Sequence, residues 1–422
     1  MNNEIMRELK ELPAEWRWVK LEDVCSFRHG GTPSKSNKDF WHGDIPWVSP
    51  KDMGLENTDD AKDRISTLAI ESSNTSLVPE GTILAVVRSG ILARRFPVAI
   101  ARSPVAFNQD IKAILPKIDT LDSQFLRFTL KVQERHILEQ GVKIGATVHS
   151  IRSGFIEKLK IPLPPLSEQR RIAAILTEQL AAVEQARKAS EARLEAACAL
   201  PAAYLREVFE SEEARKWKQI FLANLIEEFR YGTSNKSASK GYTTLRIPNV
   251  IGNTLDLNDL KNVPLEDQEL EKLKLINGDL LFVRTNGSPQ NVGRSAVFDS
   301  SIFIKKGIDP TNIIFASYLI RARLKCELIL PSFLQSYLQT ISGREAILSK
   351  CKTTAGQYNI NTQGLGELPI PLPSINIQNR TIDHLEKRLS SIKSLENSIA
   401  IEIEYINFLP ATVLAQAFSG AI

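Results

Sequence analysis

The hydrophobic pattern is helical in two long stretches of the chain. Their apolar positions are Leu176, Leu180, Val183, Ala186, Leu194 and Ala197 in the first stretch, and Leu385, Leu389, Ile392, Leu395, Ile399, Ile403 and Ile406 in the second. Gaps near three and four residues place these side chains along one face, which is typical of a helix that packs against another helix. We therefore predict two long helices, each running from a proline turn to a Leu-Pro pair, at 200–201 or 409–410, over about 35 residues.

The two helical stretches match each other in sequence. The tetrapeptide Ile-Pro-Leu-Pro occurs at 161–164 and again at 370–373, and the alignment continues from there without a gap at an offset of 209 residues. Over 49 aligned positions, 14 residues are identical. A fixed-offset match of this length indicates a duplicated structural unit. Because the period is too long for a solenoid repeat, we predict two copies of one domain-plus-helix module.

Short apolar runs alternate with polar loops in the segments between the helices. We predict strands at 83–87, 98–100, 111–115, 280–283, 296–298 and 302–304, and helices at 122–139 and 331–349. The expected fold class is mixed α+β: two α/β domains separated by two long antiparallel coiled-coil helices, with an internal pseudo-twofold duplication. The expected division is a first domain at 1–160, a central helical segment at 161–215, a second domain at 216–369 and a C-terminal helical segment at 370–422.

The distribution of charge follows this division. Basic residues outnumber acidic residues by 23 to 21 in segment 1–160 and by 19 to 14 in segment 216–369, whereas acidic residues prevail in both helical segments. A modest basic excess on the domains favours nucleic acid binding. The chain has no run of 18 apolar residues and no apolar signal core, so we expect neither a transmembrane span nor secretion. The four cysteines are scattered, which fits free thiols in a reducing cytoplasm.

Polar loops rich in glycine, serine, asparagine, lysine and arginine recur in both domains. Arg, Lys, Asn and Thr side chains can bind phosphates or base edges, and glycines allow the backbone to approach closely. The candidate DNA-binding residues are Arg28, Thr32, Lys35, Lys38, Lys51, Arg88, Arg94, Arg95 and Lys143 in the first domain, and Arg230, Thr233, Lys236, Lys240, Arg246, Arg284, Asn286, Arg294 and Lys352 in the second. The competing interpretation is that each arginine is a solvated surface charge or pairs with a carboxylate of its own domain.

The helical segments resemble each other more closely than the domains do. This difference is expected if the helices dock identical partners while the domains recognise different targets. The candidate spacer and subunit-docking residues are Pro162, Pro164, Gln169, Leu176, Leu180, Leu194, Pro371, Pro373, Gln378, Leu385, Leu389 and Ile403. The simpler alternative is that the helices only form a dimerisation or intramolecular coiled coil.

No catalytic constellation is evident in the sequence. It lacks the glycine-rich loops of P-loop and Rossmann proteins. None of the five histidines stands at metal-ligand spacing from a cysteine or a carboxylate. We therefore expect this chain to have no metal site, no bound cofactor and no catalytic activity.

The repeated Ile-Pro-Leu-Pro helices resemble the central and carboxy-terminal conserved regions of the specificity subunits (HsdS) of type I restriction–modification systems. In the first domain, the Gly-Gly-Thr-Pro-Ser run at 30–34 and the Ile-Pro-Trp-Val run at 45–48 resemble the opening of that family's target-recognition domains. The Phe-Asn-Gln-Asp run at 107–110 resembles its later asparagine-containing strand. The second domain departs from this pattern, because its Gly-Thr-Ser run at 232–234 lacks the proline.

The resemblance implies a DNA-binding, non-catalytic protein of the prokaryotic cytoplasm. Each target-recognition domain would read one half of a bipartite, asymmetric site in double-stranded DNA, while the helices would set the spacing and dock two methyltransferase subunits. Those partners would bind S-adenosylmethionine, and restriction subunits of the full complex would use ATP and Mg. Two alternatives remain open: a coiled-coil adaptor without sequence-specific DNA binding, and a DNA methyltransferase with an atypical site. Salt-dependent DNA retention and S-adenosylmethionine binding by the chain would distinguish them.

Overall fold

A computed structural model describes residues 15–53, 57–58, 60–117, 119–145, 148–252, 254–354 and 356–418 of the chain. The chain forms two compact units. The first unit contains the described residues up to Glu191 together with Ile401–Phe418, and the second contains Ala192–Ala400. Each unit combines a mixed α/β domain with segments of two long helices.

The first unit consists of short strands, short helices and the first part of a long helix. Its strands are β1 (Arg17–Lys20), β2 (Cys25–His29), β3 (Ile45–Val48), β4 (Asn57–Thr58), β5 (Asp63–Ile65), β6 (Leu77–Val78), β7 (Ile83–Val86), β8 (Arg88–Ser89), β9 (Val98–Ala101), β10 (Val105–Phe107), β11 (Ile111–Pro116), β12 (Val142–Lys143), β13 (His149–Ile151) and β14 (Lys160–Leu163). Its helices are α1 (Leu21–Val24), α2 (Thr67–Glu71), α3 (Ser123–Val132), α4 (Glu134–His136) and the start of α5, the central helix (Leu166–Phe209), with a π-helical turn at Ile137–Gly141.

The sheets of the first unit surround a core that also receives both long helices. The strand orders are β2-β11-β7-β9-β4, β5-β3-β10-β6 and β12-β13-β8, and β1 pairs with β14 so that the start and the end of the domain are joined. Leu176 of the central helix is buried in this core. Phe418, from the end of the C-terminal helix, is also buried there, with its ring centroid 5.5 Å from that of Phe125.

The second unit has a similar set of elements. Its strands are β15 (Lys218–Phe221), β16 (Ile226–Tyr231), β17 (Tyr242–Leu245), β18 (Val250–Ile251), β19 (Thr254–Leu255), β20 (Lys261–Val263), β21 (Leu280–Val283), β22 (Thr285–Asn286), β23 (Ser295–Val297), β24 (Ile314–Phe315), β25 (Leu319–Leu324), β26 (Lys352–Thr354), β27 (Gln357–Asn359) and β28 (Pro369–Leu372). Its helices are α6 (Asp267–Leu273), α7 (Ser300–Lys305), α8 (Pro331–Leu338), α9 (Ile341–Ser349), α10 (Thr362–Gly366) and most of α11, the C-terminal helix (Ile375–Phe418).

The main strand order of the first unit returns in the second. The order β16-β25-β21-β23 corresponds to β2-β11-β7-β9, β20-β17-β24 to β5-β3-β10, β22-β27-β26 to β8-β13-β12, and β15-β28 to β1-β14. The units differ in β4 and β6 of the first and in the β18–β19 pair of the second. The predicted mixed α+β class is therefore confirmed.

Both long helices extend beyond the predicted ends. Each is 44 residues long and continues through its proline, Pro201 or Pro410, instead of stopping there. Proline removes one backbone hydrogen bond from a helix. The residues that follow are nevertheless buried: Phe209 lies in the core of the second unit and Phe418 in that of the first. Burial of these large side chains offsets the local loss, so the helices persist.

The two long helices are antiparallel within each unit. In the first unit, Ser190 Oγ donates to Glu402 Oε1 at 2.8 Å. In the second, Arg388 Nη1 donates to the hydroxyl of Tyr204 at 3.2 Å. Residue numbers thus rise along one helix as they fall along the other, as the sequence predicts.

The C-terminal helix contains a segment that is apolar on average, although it is not an unbroken run of apolar residues. An 18-residue window has a mean hydropathy of 1.3, which is enough to cross a membrane by length and composition alone. One such helix is a weak indication of a span. This helix also carries Glu402 and Glu404, and carboxylates are costly in a bilayer. Ile399 and Phe418 of this helix are buried inside the protein, so these apolar side chains serve packing.

The predicted helix at 122–139 is divided at Gln133 into α3, α4 and the π-helical turn. Two further predicted elements differ from the structure. Residues 302–304, predicted as a strand, lie in α7, because Asp299 caps this helix by accepting a hydrogen bond from the backbone N of Ser301 at 2.8 Å. The predicted helix at 331–349 is divided into α8 and α9, because Thr340 caps a new helix by accepting from the backbone N of Gly343 at 3.0 Å. In both cases a local side-chain cap outweighs the apolar pattern.

A buried glutamine fixes the start of each long helix. Gln169 has no exposed surface, and its side chain accepts from Asp122 N at 2.8 Å. Its amide nitrogen donates to the carbonyls of Thr120 and Pro164, both at 2.9 Å.

Gln378, at the same offset of 209 residues, is equally buried and makes the corresponding contacts. It accepts from Leu330 N and donates to the carbonyls of Leu328 and Pro373, each at 2.9 Å. Each amide therefore joins the proline turn, the helix start and the loop before α3 or α8.

We predict that Gln169→Leu and Gln378→Leu will each destabilise the protein by on the order of 3 kcal/mol, because buried backbone groups would lose their partners. Thermal or denaturant unfolding of the variants measures this loss. Gln179→Leu is the matched control, since Gln179 is exposed on the central helix. Equal unfolding midpoints for the Gln169 and Gln179 variants would contradict the assignment.

Candidate nucleic-acid interface

In the first unit, the small sheet β8-β13-β12 places two of the candidate DNA-binding residues, Arg88 and Lys143, on either side of one residue of the middle strand. Ser150 on β13 lies opposite Arg88 on one side and opposite Lys143 on the other. Residues that face each other across neighbouring strands point to the same side of a sheet. With strands about 4.8 Å apart, the backbones of Arg88 and Lys143 are separated by about 10 Å. Both side chains are exposed on this face.

Arg88 is anchored through its backbone and is held only weakly through its side chain. Its backbone N donates to the carbonyl of Asp110 at 3.2 Å. Its Nε lies 4.0 Å from Asp110 Oδ1, and the side chain is 62% exposed. An exposed ion pair at this distance contributes little free energy. The carboxylate partner considered as a competing interpretation therefore exists, but it leaves Arg88 accessible.

The loop after β2 is pressed against the turn between β10 and β11. A side chain at Gly30 would collide with the backbone oxygen of Asn108, so only glycine fits this approach. The next residues of the loop reach the turn through Thr32, whose Oγ1 donates to Gln109 Oε1 at 2.6 Å. The surface formed in this way, the first polar edge, consists of Thr32, Arg88, Gln109, Asp110 and Lys143.

The second unit forms an equivalent edge on the sheet β22-β27-β26. Asn359 lies opposite Thr285 on one side and opposite Lys352 on the other. The neighbouring Asn286 lies opposite Tyr358. The predicted residues Asn286 and Lys352 thus lie in one small sheet, but their side chains point to opposite faces, unlike Arg88 and Lys143 in the first unit.

Arg284 is oriented in this edge by aromatic and backbone groups. Its guanidinium carbon lies 4.9 Å from the centre of the Tyr231 ring, which is cation–π distance. Its backbone N donates to the carbonyl of Tyr318 at 2.9 Å, and its Nη1 lies 3.4 Å from the carbonyl of Ser317. Tyr318 itself is 60% exposed. The second polar edge consists of Tyr231, Arg284, Asn286 and Tyr318.

Thr233 is buried, unlike most of the candidate DNA-binding residues. Only 5% of its surface is exposed, because its backbone N donates to the carbonyl of Phe315 at 3.0 Å and the turn lies against β24. Its Oγ1 accepts from Asn235 N at 3.1 Å. Thr233 thus shapes the turn, whereas the corresponding Thr32 is exposed on the first edge.

Two predicted arginines are engaged by carboxylates of their own unit, as the competing interpretation holds. Arg230 Nε donates to Glu228 Oε1 at 3.0 Å, and Glu228 also pairs with the buried Arg321. The Arg230 hydrogen bond is the main cause that lowers the pKa of Glu228. Arg246 Nη2 donates to Asp259 Oδ2 at 2.7 Å. Both guanidinium groups are therefore paired within their own unit, Arg230 along β16 and Arg246 with the loop between β19 and β20.

The remaining candidates fall into two groups. Arg294 is half-buried, donates to Asn291 Oδ1 at 3.2 Å, and has a pKa lowered by burial. Arg28, which donates to the carbonyl of Leu77 at 3.2 Å, is exposed. The other exposed candidates are Lys35, Lys38, Lys51, Arg94, Arg95, Lys236 and Lys240. Their contact with DNA stays a prediction.

The predicted spacer and docking residues lie mainly inside their own units. The buried members are Pro162, Pro164, Gln169, Leu176, Pro371, Pro373, Gln378 and Leu385, and the half-buried members are Leu180, Leu194, Leu389 and Ile403. Buried side chains attach a helix to its domain and have no surface to offer another subunit. The docking role of the half-buried members stays a prediction.

The described residues contain no group of three or more His, Cys, Asp or Glu side chains that could hold a metal ion. All four cysteines are free. Burial raises the pKa of the Cys25 thiol to about 12, which makes it a poor nucleophile. The polar edges are therefore the parts of the described chain best equipped for recognition.

The sequence did not reveal the roles of Asp110, Tyr231 and Tyr318. Asp110 lies in the Phe-Asn-Gln-Asp run, and Tyr231 follows Arg230, so both lay beside recognised signals. Tyr318 stands between the apolar strands β24 and β25, where a tyrosine is usually a core residue. Only the pairing of strands and the backbone contact of Arg284 bring these side chains to an edge.

Residues 13–193 match the family model described as "Type I restriction modification DNA specificity domain". The chain is also similar to the EcoR124I/EcoR124II specificity subunit of Escherichia coli, with 39% identity over 38% of this chain and 40% of that protein. It is 28% identical to the EcoKI specificity subunit of Escherichia coli strain K12, over 66% of this chain and 61% of that protein. The chain thus matches less than two thirds of the length of these curated relatives.

Two solved structures resemble the whole chain in fold. A chain solved in work on the complex assembly and conformational transition of the type I R-M system has a TM-score of 0.71 and 17% identity, covering 98% of this chain and 100% of that chain. The HsdS subunit from Thermoanaerobacter tengcongensis has a TM-score of 0.64 and 19% identity, covering 98% of both chains. The mixed α/β domains and long helices therefore form a known architecture.

We predict that Arg88→Ala and Arg284→Ala will each weaken binding to double-stranded DNA and lower the slope of log affinity against log salt by about one, if each arginine neutralises one phosphate. Binding titrations over a range of salt concentrations measure both quantities. Arg230→Ala is the control, because its charge is already paired with Glu228. Unchanged slopes with a lowered melting temperature would show that Arg88 and Arg284 are structural.

Proposed function

We propose that this chain is the DNA-recognising, non-catalytic subunit of a type I restriction–modification system, because residues 13–193 match the DNA specificity domain and the chain is similar to specificity subunits of Escherichia coli. The observation that carries this proposal is the pair of polar edges, each built on the same three-stranded order. Arginine, lysine, amide and hydroxyl groups line them, and these are the groups that contact phosphates and base edges in protein–DNA complexes.

Each unit reads one half of a bipartite site in double-stranded DNA. The two edges share a framework but differ in chemistry. The backbone of Arg88 contacts Asp110, and the backbone of Arg284 contacts Tyr318 in the same way. A carboxylate can accept a hydrogen bond from the amino group of cytosine, whereas a tyrosine offers a hydroxyl and a ring. Unlike edges support an asymmetric site with two different halves.

The long helices set the gap between the two halves. Each helix is continuous over 44 residues, which corresponds to about 66 Å at about 1.5 Å per residue if the helix is straight. Each also contributes side chains to both cores, Leu176 and Phe209 from the central helix and Leu385 and Phe418 from the C-terminal helix. A helix anchored at both ends in this way is suited to act as a spacer.

The exposed helix faces dock methyltransferase subunits. On the C-terminal helix, Ile401, Tyr405, Phe408 and Leu409 are between 42% and 71% exposed. Tyr405 lies four residues after Ile401, and Phe408 and Leu409 lie three and four residues after Tyr405, so all four share one side of the helix. We call these four residues the apolar stripe. A contiguous exposed apolar surface of this kind is typical of a protein–protein contact. The positions at offset 209 on the central helix are Ala192, Ala196, Ala199 and Leu200.

Two methyltransferase subunits would thus meet two unlike helix faces. In the proposed assembly, these subunits bind S-adenosylmethionine and methylate the site, and restriction subunits supply the chemistry that requires ATP and Mg. The present chain determines which DNA sequence the assembly binds. The larger side chains of the apolar stripe would bury more apolar surface, and hold their partner more tightly, than Ala192, Ala196 and Ala199 of the central helix.

Methylome sequencing of cells that express the chain with its methyltransferase subunits tests the proposed function. We expect one bipartite motif with two unlike halves. Exchange of residues 20–150 for the same segment of a relative should change one half and leave the other intact. A motif that changes in both halves, or the absence of a motif that depends on this chain, would contradict the proposal.

We predict that Tyr405→Glu combined with Phe408→Glu will reduce co-purification of the methyltransferase subunits to one per chain or fewer, because a carboxylate cannot be buried against an apolar partner. Native mass spectrometry of the assembled complex measures the stoichiometry. Glu404→Gln is the control on the same helix, since Glu404 is exposed beside the stripe. An undiminished stoichiometry in the double variant would place the docking surface elsewhere.

A further inference from the structure

A polar loop at residues 286–294 forms part of the second polar edge. We call it the second loop; it connects β22 with β23 and contains Asn286 and Arg294. It is folded on itself, since Ser288 N donates to Asn286 Oδ1 at 3.0 Å and Asn291 N to the carbonyl of Ser288 at 3.1 Å. Its outer residue Gln290 is exposed. The direction in which these side chains point depends on what holds the loop to the domain.

Arg344 of α9 holds the second loop through three carbonyl groups. Its Nη2 donates to the carbonyls of Pro289, Gln290 and Val292 at 2.9, 3.3 and 2.8 Å. Three acceptors from one short segment, gathered on one guanidinium nitrogen, fix the course of the backbone. This nitrogen has two N–H groups, so at least one of them is shared between two carbonyls. A neutral aliphatic side chain offers no donor here, and the ammonium of lysine ends about one bond short of the Nη2 position.

The same face of α9 also holds the end of the loop by packing. Gly293 has φ of +67°, and a side chain there would collide with the buried Ile347. Ile347 stands three residues after Arg344, so both side chains lie on one side of the helix. The loop is therefore clamped by one polar and one apolar contact from a single helix turn.

The positive charge of Arg344 is partly removed from water, which costs solvation free energy. Burial lowers the pKa of the Arg344 guanidinium, and the charge of Arg294 lowers it further, although Cys351 acts in the opposite direction. Holding a charge where it is poorly solvated requires compensating hydrogen bonds. The three loop carbonyls supply them, which links the position of the charge to the shape of the loop.

The first unit holds its corresponding loop with a charge of the opposite sign. This first loop, residues 90–96, connects β8 with β9 and contains Arg94 and Arg95. Glu134 of α4 accepts a hydrogen bond from the backbone N of Phe96 at 2.5 Å, at the end of the loop. Phe96 itself is fully buried. In both units a charged residue from the helix after α3 or α8 anchors the loop by a backbone contact.

We propose that Arg344 and Glu134 are positioning residues that determine specificity: each fixes the loop of its own unit, and so which base edges that unit can reach, without touching DNA. This inference rests on the proposed function. It assigns half-site selectivity to residues outside the polar edges. It also predicts that the two halves of the site can be altered separately by changes behind the edges.

Selection of bound sequences from a random double-stranded DNA library, with the chain assembled with its methyltransferase subunits, tests the proposal. The variants are Arg344→Met and Arg344→Lys in the second unit, and Glu134→Met and Glu134→Gln in the first. We expect Arg344→Met to reduce the preference for the favoured base about tenfold at one or two positions of one half only, as loss of a base contact would. Glu134→Met should have this effect on the other half.

The conservative variants separate positioning from packing. Glu134→Gln keeps an oxygen that accepts from Phe96 N, so the motif should stay as in the wild type. Arg344→Lys keeps the charge and three N–H donors, but its ammonium ends about one bond short of the Nη2 position, so the contacts lengthen and its half should be partly blurred. Glu345→Met, an exposed change on α9, is the control and should leave both halves intact.

Each outcome has a distinct meaning. A wild-type assembly that selects no motif would refute the proposed function itself. A sharp wild-type motif that stays sharp in Arg344→Met, or is blurred equally in both halves, would overturn the positioning role. If the methionine variant does not fold, Arg344→Lys decides: a folded lysine variant with both halves unchanged would overturn the inference for the second unit.

Discussion

The buried amides of Gln169 and Gln378 are the contacts on which the arrangement of each unit depends. Each amide satisfies one donor and two acceptors of the backbone in a place that water does not reach. Because an unsatisfied buried polar group is costly, the proline turn, the helix start and the loop before α3 or α8 must keep one relative position. A long helix that begins in a fixed direction can then carry its seam residues and its exposed face to defined places.

The polar edges illustrate how one framework can carry different chemistry. The backbone of Arg88 or Arg284 donates to the carbonyl of Asp110 or Tyr318, so the main chain forms the same contact whichever side chain is present. The side chain at that position is therefore free to change without loss of the scaffold. The glycines before the edge are less free, because a Cβ would collide with the neighbouring turn. Rigid backbone and variable side chains together account for domains that match in strand order and differ in sequence.

Much of the fold could be predicted from the sequence. The periodicity of hydrophobic residues indicates helices and strands locally, and the constant offset of 209 residues indicates a repeated unit. The strands around 83–87 and 280–283 and the two long helices were predicted on that basis and are present. Contacts distant in sequence decided the rest. The helices continue past their prolines because Phe209 and Phe418 are buried in cores that composition does not reveal.

The candidate site was predictable only in part, for the same reason. Arg88 and Lys143 were identified as residue types in polar loops, but their common face depends on the register of β13. The burial of Thr233 against β24 cannot be read from a Gly-Thr-Ser run. Arg344 lies on a helix with no basic neighbours in sequence, so nothing local marked its contacts with three carbonyls.

In the proposed function, the first and the second polar edge of one chain contact DNA at the same time. Hydroxyl-radical footprinting of the complete assembly on its cognate duplex tests it most directly, because cleavage reports contact with each nucleotide of the backbone. We expect two protected patches separated by a gap, with Arg88→Ala weakening protection in one patch and Arg284→Ala in the other. A single patch, or two patches that respond alike to both substitutions, would contradict it.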